Sequence, residues 1–223
     1  MPGIEDKLLE HSAIPLFPTV IWASQVRPEI VARINSALLR KLDEARTKQP
    51  QLQAKGKWQT DQNLHTLDEL AELCGLMTGT ARHVLDSEQI RYAGLEITGC
   101  WANVGFPGSR HRTHAHPNNY LSGVYYAKAP PGGNTINFLD PRPQASAIVP
   151  PSNRMTPLTS QRVTIDVRPG TMILFPAWLH HSVDPNRASE ERISVAFNLM
   201  FTRFREDMSP PMWTGNLPVT QGN

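Results

Sequence analysis

From Gly94 onward the chain breaks into short apolar stretches set so close together that no helix fits between them. Such segments, rich in β-branched and aromatic residues, read as strands at 95–104, 120–128, 134–139, 162–167, 171–176 and 192–203. Pro/Gly turns such as Pro130-Pro131-Gly132-Gly133 and Arg168-Pro169-Gly170 separate them. Parallel pairing needs a crossover of a dozen or more residues, so the sheet is expected to be mainly antiparallel. The predicted class is mainly β with flanking α-helices, folded as a barrel or a cupin-like double-sheet jelly roll. The Pro/Ser-rich stretch 140–160 is expected to be a long loop of the functional kind.

Ahead of Gly94 the periodicity is helical. Val31, Ile34, Leu38 and Leu42 recur three or four apart, and Pro28 suits a first helical turn. A second helix is expected from Thr66, where Thr-Leu-Asp-Glu has the form of a capping box, through Leu67, Leu70, Leu73 and Met77, with Gly75 and Gly79 weakening it. Nothing in 223 residues resembles a linker or a repeat. One domain spanning 1–223 is expected, with a helical part at about 15–93 and a β core at about 94–204.

Charge narrows the partners. The net charge is +2, with 22 basic and 20 acidic side chains intermixed, so the basic stripe that nucleic acid would require is missing. The first residues carry acids where a signal peptide needs cations, and no apolar run approaches the ~18 residues of a membrane span. A cytoplasmic protein with no membrane partner is expected. Homo-oligomerisation is left open. Cys74 and Cys100 are too few for a disulfide framework and lie in apolar stretches, so buried free thiols are expected.

Five of the eight histidines fall in two segments, His111-Arg-Thr-His114-Ala-His116 and His180-His181, and none lies between. A lone histidine is usually a surface or packing residue; a cluster asks for another reason. In an extended strand residues i and i+2 share a face, so His114 and His116 can aim both imidazoles at one point, with His181 as the natural third donor. Imidazoles without thiolates, leaving open positions, suit Fe(II), Mn or Zn. Ten residues separate His181 from Arg192, which Ser194 follows at i+2. Val195, Phe197, Leu199 and Phe201 make one face of that strand apolar, which puts Arg192, Ser194 and Asn198 on the other. An arginine in a barrel lumen needs an anion, and a carboxylate fits its fork bidentately.

The pattern His114-x-His116, then His181 after 64 residues, then ten residues and Arg192-x-Ser194, resembles the iron- and 2-oxoglutarate-dependent oxygenases. The runs HAHPNNYLSGVYYAKAP, INFLDPR, PGTMILFPAWLHHSV and ERISVAFNLMF are similar to a bacterial and phage subgroup with His-x-His-Pro and Ser-Gly-Val-Tyr-Tyr, over about Pro15 to Phe204. The resemblance implies a double-stranded β-helix core. It also implies Fe(II) on His114, His116 and His181, 2-oxoglutarate held by Arg192 and Ser194, and O2 as oxidant. Family spacing selects His181 over His180, which should face the opposite way.

His116 stands where the wider family has an acid. Because no carboxylate lies between Ile97 and Leu139, His116 is expected to complete the site and to donate its other ring N–H to a fixed acceptor. Asp184, three residues after His181, would be the nearest acid to substitute as a ligand. Asn103 and Tyr126 are further co-substrate candidates, each with a structural reading beside it: a strand-end amide and plain core packing. Asp140 and Arg142 are read as a substrate contact or an ordinary Asp-Pro turn.

The activity implied is oxidation, expected to be hydroxylation, of a small metabolite or amino-acid-like substrate, with release of succinate and CO2. Two other readings fit the histidines: a cupin-like three-histidine metalloenzyme that uses no 2-oxoglutarate, and a jelly-roll binding module without turnover.

Overall fold

The computed structural model describes residues 9, 10, 12, 14, 16–48, 56–156 and 158–203. Pro15 and Phe204, the outer limits of the family resemblance, lie outside the described residues. Ten strands form two antiparallel sheets: β1 (Trp22–Gln25), β2 (Lys57–Gln59), β3 (Leu95–Gly105), β4 (His111–His114), β5 (Leu121–Lys128), β6 (Thr135–Leu139), β7 (Arg162–Asp166), β8 (Thr171–Pro176), β9 (His181–Val183) and β10 (Arg192–Phe201). The larger sheet runs β1-β8-β5-β10-β3-β2 and the smaller β4-β9-β6-β7. This is the jelly-roll arrangement of two packed sheets with helices outside.

The two sheets enclose a small apolar core of Tyr126, Ile136, Phe138, Ile173, Phe175 and Leu179. A larger core lies on the outer face of the six-stranded sheet. There Val195, Phe197, Leu199 and Phe201 of β10 meet Ile34, Leu38 and Leu42 of helix α1 (Pro28–Lys48) and Leu73, Met77 and Leu85 of helix α2 (Ala71–Ser87). Alternation along β10 therefore sends apolar residues to the helices and Arg192, Ser194 and Asn198 to the space between the sheets. Packing on the outer face is close. A Cβ on Gly123 of β5 would collide with the ring of Phe197, which is why the central strand carries a glycine there.

The second helix departs from the expected course. Thr66 does not cap it. Two 3₁₀ turns, Leu64–Thr66 and Asp68–Leu70, precede α2, and the Thr66 hydroxyl donates backward to the carbonyl of Asn63. Nor do Gly75 and Gly79 end it, for the face Leu73, Met77, Ala81, Val84 and Leu85 is fully buried and tertiary packing outweighs their poor propensity. Cys74 and Cys100 are free thiols, and burial pushes Cys100 up to about 12. Among the described residues no helix is long and apolar enough to cross a membrane.

Candidate active site

β4 is the edge strand of the smaller sheet, and it pairs with β9 irregularly. His111 sits opposite Val183 and His114 opposite His181, so three steps on β4 answer two on β9. That is a bulge with one residue extra, and bulges re-aim side chains beside functional sites. Here it turns both His111 and His114 into the cavity between the sheets, while Arg112 and Thr113 both stay exposed. His116 is not on a strand. The strand ends at His114, and His116 lies in the following loop, where its N–H donates to the carbonyl of Ala177. The i, i+2 strand argument for its direction therefore does not describe this chain; the loop reaches the same point by a different path.

The imidazoles of His114, His116 and His181 each offer a ring nitrogen within 4.8 Å of the others. Ring centroids are 4.3 Å apart for His114 and His181, 5.0 Å for His114 and His116, and 5.1 Å for His116 and His181. Nδ1 of His181 donates to the Leu179 carbonyl at 2.9 Å, and Nδ1 of His114 to the Arg112 carbonyl at 2.7 Å. A carbonyl can only accept, so in each ring Nδ1 carries the proton and Nε2 is left as the donor toward a metal. Burial depresses His181 to about 3 and His116 to about 4, which keeps both neutral and ready to ligate at neutral pH. The acceptor expected for His116 is not found. Its ring is positioned by Trp101, 5.8 Å between centroids, and not by a ring hydrogen bond. His180 is exposed and points away, whereas His181 is 4% exposed. Asp184 is ion-paired with Arg162 at 3.6 Å and takes no part in the group.

Next to the imidazoles a cavity of about 290 Å³ contains all four co-substrate candidates. Ser194 of β10 lies in register between Asn103 of β3 and Tyr126 of β5, so three of them form one row across the sheet. Arg192 ends β10 beside them. It is 3% exposed, and among the described residues no acid lines the cavity and its Nη1 has no hydrogen-bond partner. Burial lowers its pKa, as it must for a guanidinium without a counter-charge. Ser109 Oγ, 1% exposed and likewise unpartnered, occupies the same corner. A Cβ on Gly105 would come to 2.6 Å from that oxygen and 3.5 Å from Arg192 Nη2, so the corner is open only because residue 105 is glycine. Two orphaned buried polar groups in one corner describe a place shaped for an anion.

The segment from His181 to Arg192 is held firmly. Asn186 Nδ2 donates to the carbonyls of Gly105 and Glu190, its backbone N–H donates to Ser109, and Arg46 of α1 pairs with Glu191 at 3.3 Å. Asp140 and Arg142 form a closed ion pair with each other, 2.7 Å, with the Arg142 N–H also donating to Asp140; the turn reading holds and they lie outside the cavity. His111, Trp101 and Gln59 line the cavity without having been singled out for a role. For His111 the sequence carries no such signal: it stands three residues before His114, a spacing that only a bulge makes inward-facing.

Residues 99–198 match the family model described as "Putative 2OG-Fe(II) oxygenase". No match to the sequence is found among curated proteins. Several solved structures share the fold. A Pseudomonas putida prolyl-4-hydroxylase aligns with a TM-score of 0.56 at 14% identity, covering 82% of this chain and 93% of its own. HygX from Streptomyces hygroscopicus, solved with nickel and 2-oxoglutarate bound, gives 0.60 at 13% identity, with 83% and 84% covered. The epimerase SnoN from nogalamycin biosynthesis gives 0.57 at 14%, with 91% of each chain covered. The family match spans the strands that carry the histidines and Arg192, so the β core of this chain is similar to the 2OG-Fe(II) oxygenases in sequence and shares its fold with solved members.

Proposed function

We propose that this oxygenase hydroxylates a small metabolite or amino-acid-like substrate, with Fe(II) on His114, His116 and His181 and 2-oxoglutarate held through its far carboxylate by Arg192 and Ser194. The observation that carries the co-substrate assignment is the buried Nη1 of Arg192, which no described residue satisfies. The donor set fits the metal equally: three imidazoles converge, and no cysteine is among them to divert the site toward other ions. When bound, iron and 2-oxoglutarate together supply the oxidising power, consuming O2 and releasing succinate and CO2.

The chain's own part is to hold and exclude. Arg192 and Ser194 fix the carboxylate at the closed end of the cavity, with Asn103 and Tyr126 flanking it in the same row. The Tyr126 phenol is pushed upward by burial and stays neutral, so it serves as a donor and not as a base. Ile136, Val124 and Trp101 give the wall an apolar part that helps to keep water from the reacting centre. His116 in place of an acid leaves the site one negative charge short, which favours a dianionic co-substrate. Anaerobic titration of the Fe(II) protein with 2-oxoglutarate tests the reading. A weak visible charge-transfer band should appear and saturate. Substrate-stimulated succinate formation across amino acids and related metabolites then tests hydroxylation itself. If the Fe(II) protein takes up no 2-oxoglutarate, the co-substrate assignment fails.

A further inference from the structure

An edge strand of each sheet, β2 of the larger and β4 of the smaller, meets beside the cavity. A second depression, about 420 Å³, lies there, and it shares His111 and His114 with the metal cavity. Its other lining residues are Lys57, Arg110, Arg112 and Thr113. Three cations thus line the depression and no acid does. The sequence reinforces this, since residues 97–139 contain no carboxylate at all. Arg110 and Arg112 are exposed, and neither guanidinium has an ion-pair partner among the described residues.

The β4 bulge explains the concentration. By turning His111 and His114 inward, it leaves the side chain of Arg112 outward at the rim. Lys57 stands in register with Gly105, itself opposite Arg192, so cations occur both at the rim and at the closed end of one row of backbone. A cleft lined by one sign of charge concentrates ligands of the other sign and orients them as they enter. Guanidiniums favour carboxylate or phosphate above other anions, because their planar forks donate to two oxygens at once.

We propose that the substrate carries an anionic group, a carboxylate or a phosphate, which Arg110, Arg112 and Lys57 bind at the rim while the rest of the molecule reaches past His111 and His114 to the metal. This rests on the oxygenase reading given above. It narrows the substrate class from small metabolites in general to anionic ones.

The test uses full-length protein loaded with Mn(II) and saturating 2-oxoglutarate, so that the metal and Arg192 are already occupied. Inorganic phosphate is titrated in one arm and acetate in another, and paramagnetic relaxation of ³¹P or of the carboxylate ¹³C reports approach to the metal. Saturable enhancement in either arm is expected, and the arm with the tighter binding identifies the group. In Arg110→Ala/Arg112→Ala, two exposed positions that should not disturb folding, binding should weaken at least fivefold. Each sample is first titrated with 2-oxoglutarate. Enhancement that is absent, or that survives in the double variant, overturns the proposal. Loss of 2-oxoglutarate affinity in the double variant also overturns it, by assigning these arginines to the co-substrate. A wild-type protein that binds no 2-oxoglutarate overturns the underlying reading, and the proposal with it.

Discussion

The two faces of β10 divide the work of the molecule. On one, Val195, Phe197 and Leu199 are 0% exposed against α1, α2 and the outer side of the sheet, with every group in contact with something of its own kind. On the other, a few residues away along the same strand, Arg192 is nearly as well buried and its Nη1 has no partner among the described residues. The first face gains free energy from being complete. The second is left incomplete at a cost, because an unpaired buried cation is unfavourable in any protein. A strand can carry both because its side chains alternate, and the contrast shows where folding ends and function begins.

That contrast yields a set of dissociations. The largest effect belongs to the incomplete face: His181→Ala should abolish the anaerobic charge-transfer band and most iron binding while chemical denaturation of the apo protein changes little. A full band in this variant would remove His181 from the metal site. Next comes the complete face. Phe197→Ala should cost about 3–5 kcal/mol of stability, the usual range for a large buried ring, yet the protein that remains folded should bind 2-oxoglutarate as before, as calorimetry at low temperature can show. Arg192→Ala should do the reverse, weakening 2-oxoglutarate by about 2–5 kcal/mol with iron content and apo stability preserved. Should stability fall as steeply as affinity, Arg192 is a structural residue and the division between the faces is false. The smallest effect is Gly123→Ala, which presses a methyl against the Phe197 ring and should destabilise by about 1–3 kcal/mol through overpacking, read from the denaturation midpoint.

Much of this was legible in the sequence. The six strands expected from apolar alternation all occur, with ends within a residue or two, because each is long enough for period two to stand out. Strands β1, β2 and β9 have no apolar pattern to read, since they run three or four residues and carry Lys, Gln, His and Ser, and the strand expected at His114–His116 ends instead at His114. Arg192 and Ser194 share a face as alternation requires. His116 reaches the group by a loop that alternation does not govern, and His111 enters the cavity through a bulge that no local residue announces. At Thr66 the capping pattern was present, but the chain spends those residues on two 3₁₀ turns before α2 begins. Local signals predicted regular structure well, and the site was built where regularity was broken.

The bulge in β4 has a consequence for how this site tolerates change in length. A strand keeps a parity: odd residues face one way and even the other, and each inserted or deleted residue exchanges them. Between His111 and His114 the parity is already shifted by one, and the two imidazoles face inward only for that reason. Removing Thr113 would place the two histidines at i and i+2, so regular pairing with β9 would keep both facing inward and take away only the bulge. The loop at 140–160, which lines neither cavity, is under no such constraint. Variation in length should therefore be free at that loop, whereas β4 must either keep its bulge or lose the extra residue whole if both imidazoles are to face inward.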